Sequence, residues 1–113
     1  MTTPLYPPPG GRLARRRKEL APRQEEAFRQ FSETVFADGA LPAKVKQLIA
    51  VAVAHATQCP YCIRGHTTAA RRAGATPEEI VEAIWVAAEM RAGAAYAHSL
   101  LALDAMDKED GTG

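Results

Sequence analysis

The segment of this 113-residue chain best suited to chemistry carries two cysteines at short spacing, with histidines on either side. Over residues 55–66 it reads HATQCPYCIRGH. Cysteines three residues apart at the start of a helix lie about 5–6 Å apart, a separation that a disulfide tolerates. The unpaired N–H groups and partial positive charge of a helix N-terminus also stabilise a thiolate, the form that attacks disulfides and peroxides. Cys59 and Cys62 are therefore predicted to be catalytic redox residues.

His66 lies four residues after Cys62, on the same face of the predicted helix. An imidazole at that offset can hydrogen-bond the sulfur of Cys62 or relay its proton. We therefore predict that His66 is a third catalytic residue.

In the reducing cytoplasm that we expect for this chain, two cysteines in CxxC spacing indicate redox or metal chemistry rather than a structural crosslink.

Two other interpretations of the cysteines stay open. Both could be buried packing residues, although packing alone explains the intervening Pro-Tyr poorly. Zinc is the other alternative, because His55, Cys59, Cys62 and His66 are spaced 4, 3 and 4 residues apart. On one continuous helix these four would form a single stripe that cannot surround an ion tetrahedrally, unless the break at Pro60 relieves it. We predict neither a metal ion nor a cofactor.

The segments around the cysteines and histidines all show helical patterns, and no alternating strand pattern is present. Helices are predicted over residues 22–37, from Pro42 through the apolar run 48–54, over 61–73, from a capping box at Thr76 and Glu79, and over 92–106. Because a chain of this length has room for one domain, the sequence predicts an all-α fold. We expect a compact helical domain over residues 22–107, preceded by an arm, 1–21, and followed by a frayed tail, 108–113.

Residues 48–54 are apolar on every side of their helix. Such a helix must be buried all round, which a domain this small cannot achieve alone. We therefore predict a homo-oligomer that assembles through its apolar helices. One apolar face is predicted on the helix that follows the capping box, and it consists of Ile80, Val81, Ile84, Trp85 and Ala88.

The N-terminal arm differs from the rest of the chain in charge. Residues 1–23 carry a balance of +5 and the remainder −4. The Pro- and Gly-rich first eleven residues are expected to be extended or disordered, and a basic run follows over residues 12–18. That run could bind an anionic partner, but its shortness and lack of aromatics favour a solvated arm packed on the acidic body or a neighbouring subunit. The net charge of +1 predicts no nucleic-acid partner.

Membrane and export signals are also not expected. No run approaches the ~18 apolar residues needed to span a bilayer. Residues 1–4, MTTP, do not begin a basic segment followed by an apolar stretch, so no signal peptide is predicted. The expectation is a soluble cytoplasmic protein with no membrane partner.

Three segments match a known family in order and in sequence. They are residues 41–50 (LPAKVKQLIA), 59–66 (CPYCIRGH) and 74–80 (GATPEEI). Together they resemble the carboxymuconolactone decarboxylase superfamily, and the CxxC spacing places the chain nearer its alkyl hydroperoxidase D branch. The resemblance covers about residues 25–105.

The resemblance implies a fold and a chemistry. Members of the superfamily are all-helical and assemble as trimers or hexamers. In the peroxidase branch the cysteine matching Cys62 meets the peroxide, the one matching Cys59 resolves it as a disulfide, and the histidine matching His66 belongs to a proton relay. The decarboxylase proper lacks this cysteine pair, so its lactone chemistry transfers poorly.

Two positions depart from the peroxidase pattern. The branch has a glutamate twelve residues before its first cysteine, where this chain has Gln47, and a histidine just before its second cysteine, where this chain has Tyr61. Gln47 cannot accept or release a proton as a carboxylate does. Another acid must then complete the relay, or the peroxidase activity is weak.

Glu89 is our first candidate for that acid and is predicted as a fourth catalytic residue. It follows the apolar residues 84–88, and a carboxylate beside a core is costly unless it has a partner. We therefore predict that Glu89 points into the pocket that holds both cysteines and His66; the alternative is a surface residue paired with Arg91. Weaker candidates are Glu25, Glu26 and His98.

The sequence thus predicts a thiol-disulfide oxidoreductase with peroxidase-like activity. Its partners would be a small peroxide substrate and a dithiol or disulfide reductant protein. One alternative is a non-enzymatic helical oligomer that uses the cysteines as a redox sensor or metal clip. Another is a decarboxylase-like enzyme acting on a small carboxylic acid.

Overall fold

The computed structural model describes residues 5–111, and within that range the chain forms five helices and no strand. The predictions about residues 1–4 and about the last two residues of the tail lie outside the described part. The helices are α1 Arg12–Leu20, α2 Pro22–Phe36, α3 Ala43–Thr57, α4 Pro60–Arg72 and α5 Pro77–Glu109. The predicted all-α fold is confirmed.

The chain divides into two units, Met1–Ala43 and Lys44–Gly113. The first contains α1 and α2. The second contains almost all of α3, together with α4 and α5, and it holds both cysteines and His66. The predicted boundaries of arm, domain and tail stay predictions, although α5 continues to Glu109 and so includes the first two residues of the tail.

Helix α1 was not predicted, since residues 1–21 were expected to form a Pro/Gly-rich and basic arm. Residues 5–11 do lie outside any helix, but the basic run that follows is helical. Its residues, RLARRRKEL, are almost all strong helix formers, and this propensity outweighs the repulsion among the cations. Arg17 of α1 forms an ion pair with Glu25 of α2, with N···O 3.7 Å, which offsets part of that repulsion.

The core of the second unit lies where α3, α4 and α5 meet. Its buried side chains are two alanines, Ala70 and Ala75, together with Val51 and Ile80. The partly buried Leu48 and Ile84 pack against them. Alanine lets helices approach closely but buries little area, so one chain has a small core. In the chain by itself, helix α3 is accordingly not buried all round.

Helix α5 begins at the predicted capping box. Thr76 Oγ1 accepts a hydrogen bond from the N–H of Glu79 at 3.1 Å, and a carboxylate oxygen of Glu79 accepts one from the N–H of Thr76 at 2.9 Å. The separate helix predicted over residues 92–106 is wrong, because α5 runs unbroken for 33 residues. Gly93 costs a helix only about 1 kcal/mol, and the alanines on either side of it are the best helix formers.

The two halves of α5 differ in burial. In the first half Ile80 and Ala87 are buried, but Val81 and Trp85, predicted on the same apolar face, are exposed, with Trp85 at 69%. From residue 88 to 111 every residue except the half-buried Gly93 is exposed, including many large apolar side chains.

No helix within residues 5–111 combines the length and the apolar character that spanning a membrane requires.

Candidate redox site

The turn between α3 and α4 places the first cysteine. The N–H of Cys59 donates to the carbonyl of Ala54 at 3.1 Å, and Gln58 adopts a left-handed conformation with φ 57°. This is the hydrogen bond of a Schellman ending, in which a left-handed residue reverses the chain after a helix. A residue other than glycine in that conformation costs about 1–3 kcal/mol, so the surrounding contacts must hold it.

One of those contacts comes from α5. The guanidinium of Arg91 donates a hydrogen bond to the carbonyl of Ala56 in the last turn of α3. Carbonyls at a helix C-terminus lack helical partners and carry partial negative charge, which a cation stabilises. Arg91 was missed as a site residue and had been considered only as a partner for Glu89. The sequence did carry a signal, since Glu89 and Arg91 are the only Asp, Glu, Lys or Arg residues between 83 and 103.

The two cysteines form a disulfide, with their Cα atoms 5.2 Å apart. This agrees with the separation predicted from their spacing. Cys59 is the N-cap of α4, and its Sγ accepts a hydrogen bond from the N–H of Cys62 at 3.2 Å. Pro60 follows at the first helical position, where its missing N–H costs nothing. Both cysteines are half-buried.

His66 is held from the neighbouring helix by Gln47. Its Nδ1 lies 2.8 Å from Oε1 of Gln47, and both side chains are half-buried. Because an amide oxygen only accepts, Nδ1 carries the proton and donates, which leaves the lone pair of the neutral ring on Nε2. Gln47 had been interpreted as the loss of a proton acceptor, and its capacity to orient the imidazole was missed.

His55 is held differently, because its Nδ1 lies 2.8 Å from the carbonyl of Val51, one turn earlier in its own helix. That contact ties the ring to α3. Within residues 5–111 no three His, Cys, Asp or Glu side chains converge to hold a metal ion. The zinc interpretation therefore has no geometric support in the described part of the chain.

Glu89 is exposed, which differs from the partnered carboxylate predicted from its apolar neighbours. Its Oε1 lies 3.4 Å from the point where a Cβ on Gly93 would be, so the side chain extends along its own helix. The role of Glu89 in a proton relay stays a prediction. The structure does bring His66 of α4 and Gln47 of α3 into contact, and His66 follows Cys62 by four residues in α4.

The weaker candidates lie in other surroundings. Glu25 and Glu26 belong to α2, in the first unit, and His98 is exposed on the second half of α5. The hydrogen bond from Arg29 to Glu26 lowers the pKa of that carboxyl from its ordinary value. Glu26 is thereby favoured as a carboxylate paired with a cation, which is a structural role.

Comparison with known proteins agrees with this architecture. Residues 22–105 match the model of the carboxymuconolactone decarboxylase family. The chain belongs to the carboxymuconolactone decarboxylase family. The resemblance noted in the sequence is confirmed at the level of this family.

Three known proteins are similar to this chain over most of its length. An uncharacterised protein from the cox locus of Paracoccus denitrificans is 67% identical over 87 residues, covering 77% of this chain and 78% of that protein. A crystal structure of a Methanobacterium thermoautotrophicum protein has a TM-score of 0.70 at 40% identity, covering 74% of this chain and 93% of the other. A carboxymuconolactone decarboxylase family protein from Legionella pneumophila, solved in its apo form, has a TM-score of 0.65 at 37% identity, covering 89% and 88%.

Family membership and the cysteine geometry together fit a redox role. The family fold supplies the helices, and the CxxC segment supplies a disulfide at a helix N-terminus, four residues before a histidine that Gln47 contacts. This arrangement can accept two electrons as the disulfide is reduced to two thiols and return them as it reforms.

Proposed function

We propose that this protein is a thiol-disulfide oxidoreductase with peroxidase-like activity, of the alkyl hydroperoxidase D type. The observation that carries the proposal is the Cys59–Cys62 disulfide at the N-terminus of α4, with His66 one turn further along and fixed by Gln47. A purely structural crosslink would need neither partial exposure nor an oriented imidazole beside it.

The catalytic cycle begins with the reduced cysteines. The thiolate of Cys62 attacks one peroxide oxygen and the O–O bond breaks, so that Cys62 becomes a sulfenic acid. The departing alkoxide or hydroxide takes a proton from the imidazolium of His66 and leaves as alcohol or water. Cys59 then attacks the sulfur of the sulfenic acid and expels water, which forms the disulfide. An external dithiol reduces that disulfide and is itself oxidised to a disulfide, so two electrons pass from dithiol to peroxide.

His66 takes the proton that Cys62 loses. Its Nδ1–H is donated to Gln47, so the incoming proton goes to Nε2 and the resulting imidazolium keeps the same hydrogen bond. Gln47 orients the ring but cannot take the proton onward, which predicts a slower relay than a carboxylate would support. Glu89 stays our candidate for the acid that completes the relay.

The proposal includes assembly into a homo-oligomer, a hexamer or trimer. Large apolar side chains stand exposed along the second half of α5, among them Tyr96 at 83% and Leu100 at 69%. Contiguous exposed apolar surface of this kind is typical of protein interfaces. Helix α3 adds Ile49 and Val53, which are exposed on the side away from its own core.

The experiment measures peroxide consumption with a small dithiol as reductant, using two matched histidine variants. We expect His66→Gln to slow turnover by about 10²-fold, because it removes the base. His55→Gln is the control, since it replaces a half-buried histidine whose Nδ1 contacts the carbonyl of Val51 in its own helix. Cys62→Ser should abolish turnover, and Cys59→Ser should leave Cys62 trapped as a sulfenic acid or a mixed disulfide.

Two results would overturn the proposal. Equal rates for the two histidine variants would show that His66 has no special role. Oxidation of the cysteines without repeated turnover would instead favour the redox sensor.

A further inference from the structure

We propose that the exposed side of α4 is a docking surface for the reductant, and that the reductant is a protein that presents several carboxylates beside its dithiol. This inference rests on the proposed redox function and adds the chemistry of the partner. The surface consists of the exposed residues of α4, and we call it the cationic stripe: Tyr61, Arg64, Gly65, Thr68, Arg71 and Arg72.

The cationic stripe follows one side of the helix. Its members are three, one, three, three and one residues apart, the spacing at which side chains share a face of an α-helix. The stripe begins at Tyr61, between the two cysteines, and ends at Arg72, the last residue of α4. From Arg64 to Arg72 the helix rises about 12 Å. A folded protein that brings a thiol to the disulfide is wider than this distance, so part of it lies against the stripe.

The charge of the stripe has a single sign. The sequence contains five Lys and Arg residues and no Asp or Glu from residue 39 to residue 77, a range that includes all of α3 and α4. No carboxylate in the described part of the chain forms an ion pair with Arg64, Arg71 or Arg72. Arg71 donates a hydrogen bond to the carbonyl of Ala75 at 2.9 Å, which fixes its position. The positive charge of the stripe is therefore left for a partner.

Helix stability explains only part of this pattern. Arg71 and Arg72 lie in the last turn of α4, where a cation stabilises the partial negative charge of the helix C-terminus. Arg64 lies in the other half of the helix, five residues after the N-cap Cys59, and a cation gains nothing from the helix charge there. The first turn of α4 also lacks the acidic residue that this charge would favour. The stripe thus extends the positive charge toward the cysteines.

The length of the stripe favours a partner with several carboxylates. A single exposed ion pair contributes little in water, so a small peroxide with one carboxylate would gain little from any one arginine. A row of like charges instead raises the rate at which an oppositely charged protein arrives. The acidic end of α5 in a second copy of this chain is a poorer match, because Asp104 there already pairs with Lys108.

The experiment uses two synthetic dithiol peptides as probes. Both contain a Cys-Gly-Gly-Cys segment, followed by a run of glutamates in one peptide and of glutamines in the other. Oxidised protein is mixed with each peptide, quenched in acid and alkylated, and mass spectrometry follows reduction of the Cys59–Cys62 disulfide. We expect the glutamate peptide to react about tenfold faster at low salt. Most of that advantage should disappear in about 1 M salt, where the Debye length is about 3 Å.

Charge variants assign the effect to the stripe. Arg64→Gln combined with Arg72→Gln should lower the advantage of the glutamate peptide at least about threefold. Arg15→Gln combined with Arg16→Gln is the matched control, because it removes two charges from exposed positions of α1 and should leave the advantage unchanged. Arg64→Glu combined with Arg72→Glu should react faster with a peptide that carries a run of lysines, a reversal that a structural role for these arginines would not give.

Three results would overturn the inference. They are equal rates of the two peptides with wild-type protein, equal losses in the two glutamine double variants, and no reversal in the glutamate double variant. A smaller mass by light scattering for Arg64→Gln combined with Arg72→Gln, with the advantage of the glutamate peptide unchanged, would assign the stripe to a second copy and overturn it as well.

The reduction assay uses no peroxide, so the two proposals can fail separately. A preference for the glutamate peptide in a protein that consumes no peroxide would leave the docking surface standing and remove the peroxidase. Normal peroxide turnover with dithiothreitol, which is uncharged, and no preference between the peptides would do the reverse.

Discussion

The turn that carries Cys59 and the second half of α5 are opposites in how one chain satisfies them. Around the turn, the backbone of Cys59, its sulfur and the carbonyl of Ala56 all have hydrogen-bond partners within the same chain. Along α5 beyond residue 88, large apolar side chains lie in solvent. One chain therefore suffices to build the turn that carries Cys59, whereas α5 is left with a surface suited to a partner.

The difference has a physical origin in helix length. The 33 residues of α5 extend about 50 Å at 1.5 Å per residue, and only the first part of that length faces the small core of Val51, Ala70, Ala75 and Ile80. Polar groups in a turn can be satisfied locally, but apolar area needs another surface against which to pack.

The largest expected effect concerns the exposed half of α5. Leu100→Glu places a charge on the proposed interface, and burying it would cost about 3 kcal/mol or more, which weakens association at least about a hundredfold. Light scattering should show smaller particles than for wild-type protein. Glu109→Lys, a charge change at the polar end of the same helix, is the control and should leave the mass unchanged.

The same variant tests whether one chain suffices for the turn that carries Cys59. If it does, Leu100→Glu should still form the Cys59–Cys62 disulfide on mild oxidation. A wild-type protein that is a stable monomer at micromolar concentration would contradict the account of α5.

An intermediate effect is expected at Gln47. Gln47→Leu keeps the volume but removes the acceptor for Nδ1 of His66, which costs about 1 kcal/mol and slows cysteine oxidation by peroxide roughly five- to tenfold. Gln47→Glu keeps the acceptor and adds a group that can take a proton, so we expect faster turnover than in wild-type protein. Stopped-flow consumption of peroxide measures both, and wild-type rates for Gln47→Leu would remove Gln47 from the mechanism.

The smallest effect concerns Glu79, which joins the start of α5 to Lys44 with N···O 2.8 Å. The hydrogen bond from Lys44, and then that from the N–H of Thr76, lower the pKa of Glu79 below its ordinary 4.5. A lowered pKa in the folded state means that the carboxylate stabilises the fold above pH 4.5, and that this contribution is lost as the pH falls through the lowered value.

Urea unfolding of Glu79→Gln against wild-type protein measures this contribution. The amide can still accept from Thr76, so the variant removes mainly the charge. We expect a small loss of stability at neutral pH that disappears in acid and shrinks in high salt, because the pair is exposed. Glu78→Gln, which removes a charge at the same helix end without touching the pair with Lys44, is the control. A difference that persists at low pH would contradict the assignment.

Interactions between residues close together in the chain could be predicted from the sequence, and interactions between distant residues could not. The capping box of Thr76 and Glu79 and the pairing of Cys59 with Cys62 each join residues three apart, so spacing alone revealed them. The contact between His66 and Gln47 spans 19 residues and that between Arg91 and Ala56 spans 35. Those contacts depend on how helices pack, which periodicity does not specify.

The errors have a related cause. The break predicted before residue 92 gave too little weight to the helix propensity of the alanines around it. The missed α1 gave proline and glycine too much weight over the helix formers that follow. The role of Glu89 stays a prediction. Its carboxylate is exposed in one chain, because apolar neighbours do not imply burial on a helix that one chain does not cover.

The number of peroxide molecules consumed per protein chain, in the presence of excess dithiol, tests the proposed peroxidase activity. We expect many equivalents per chain and no consumption by Cys62→Ser. Protein sampled during turnover should show the two-hydrogen mass loss of the Cys59–Cys62 disulfide. Consumption that stops after one equivalent, or thiols that peroxide leaves unchanged, would contradict the assignment of this chain as a peroxidase-like oxidoreductase.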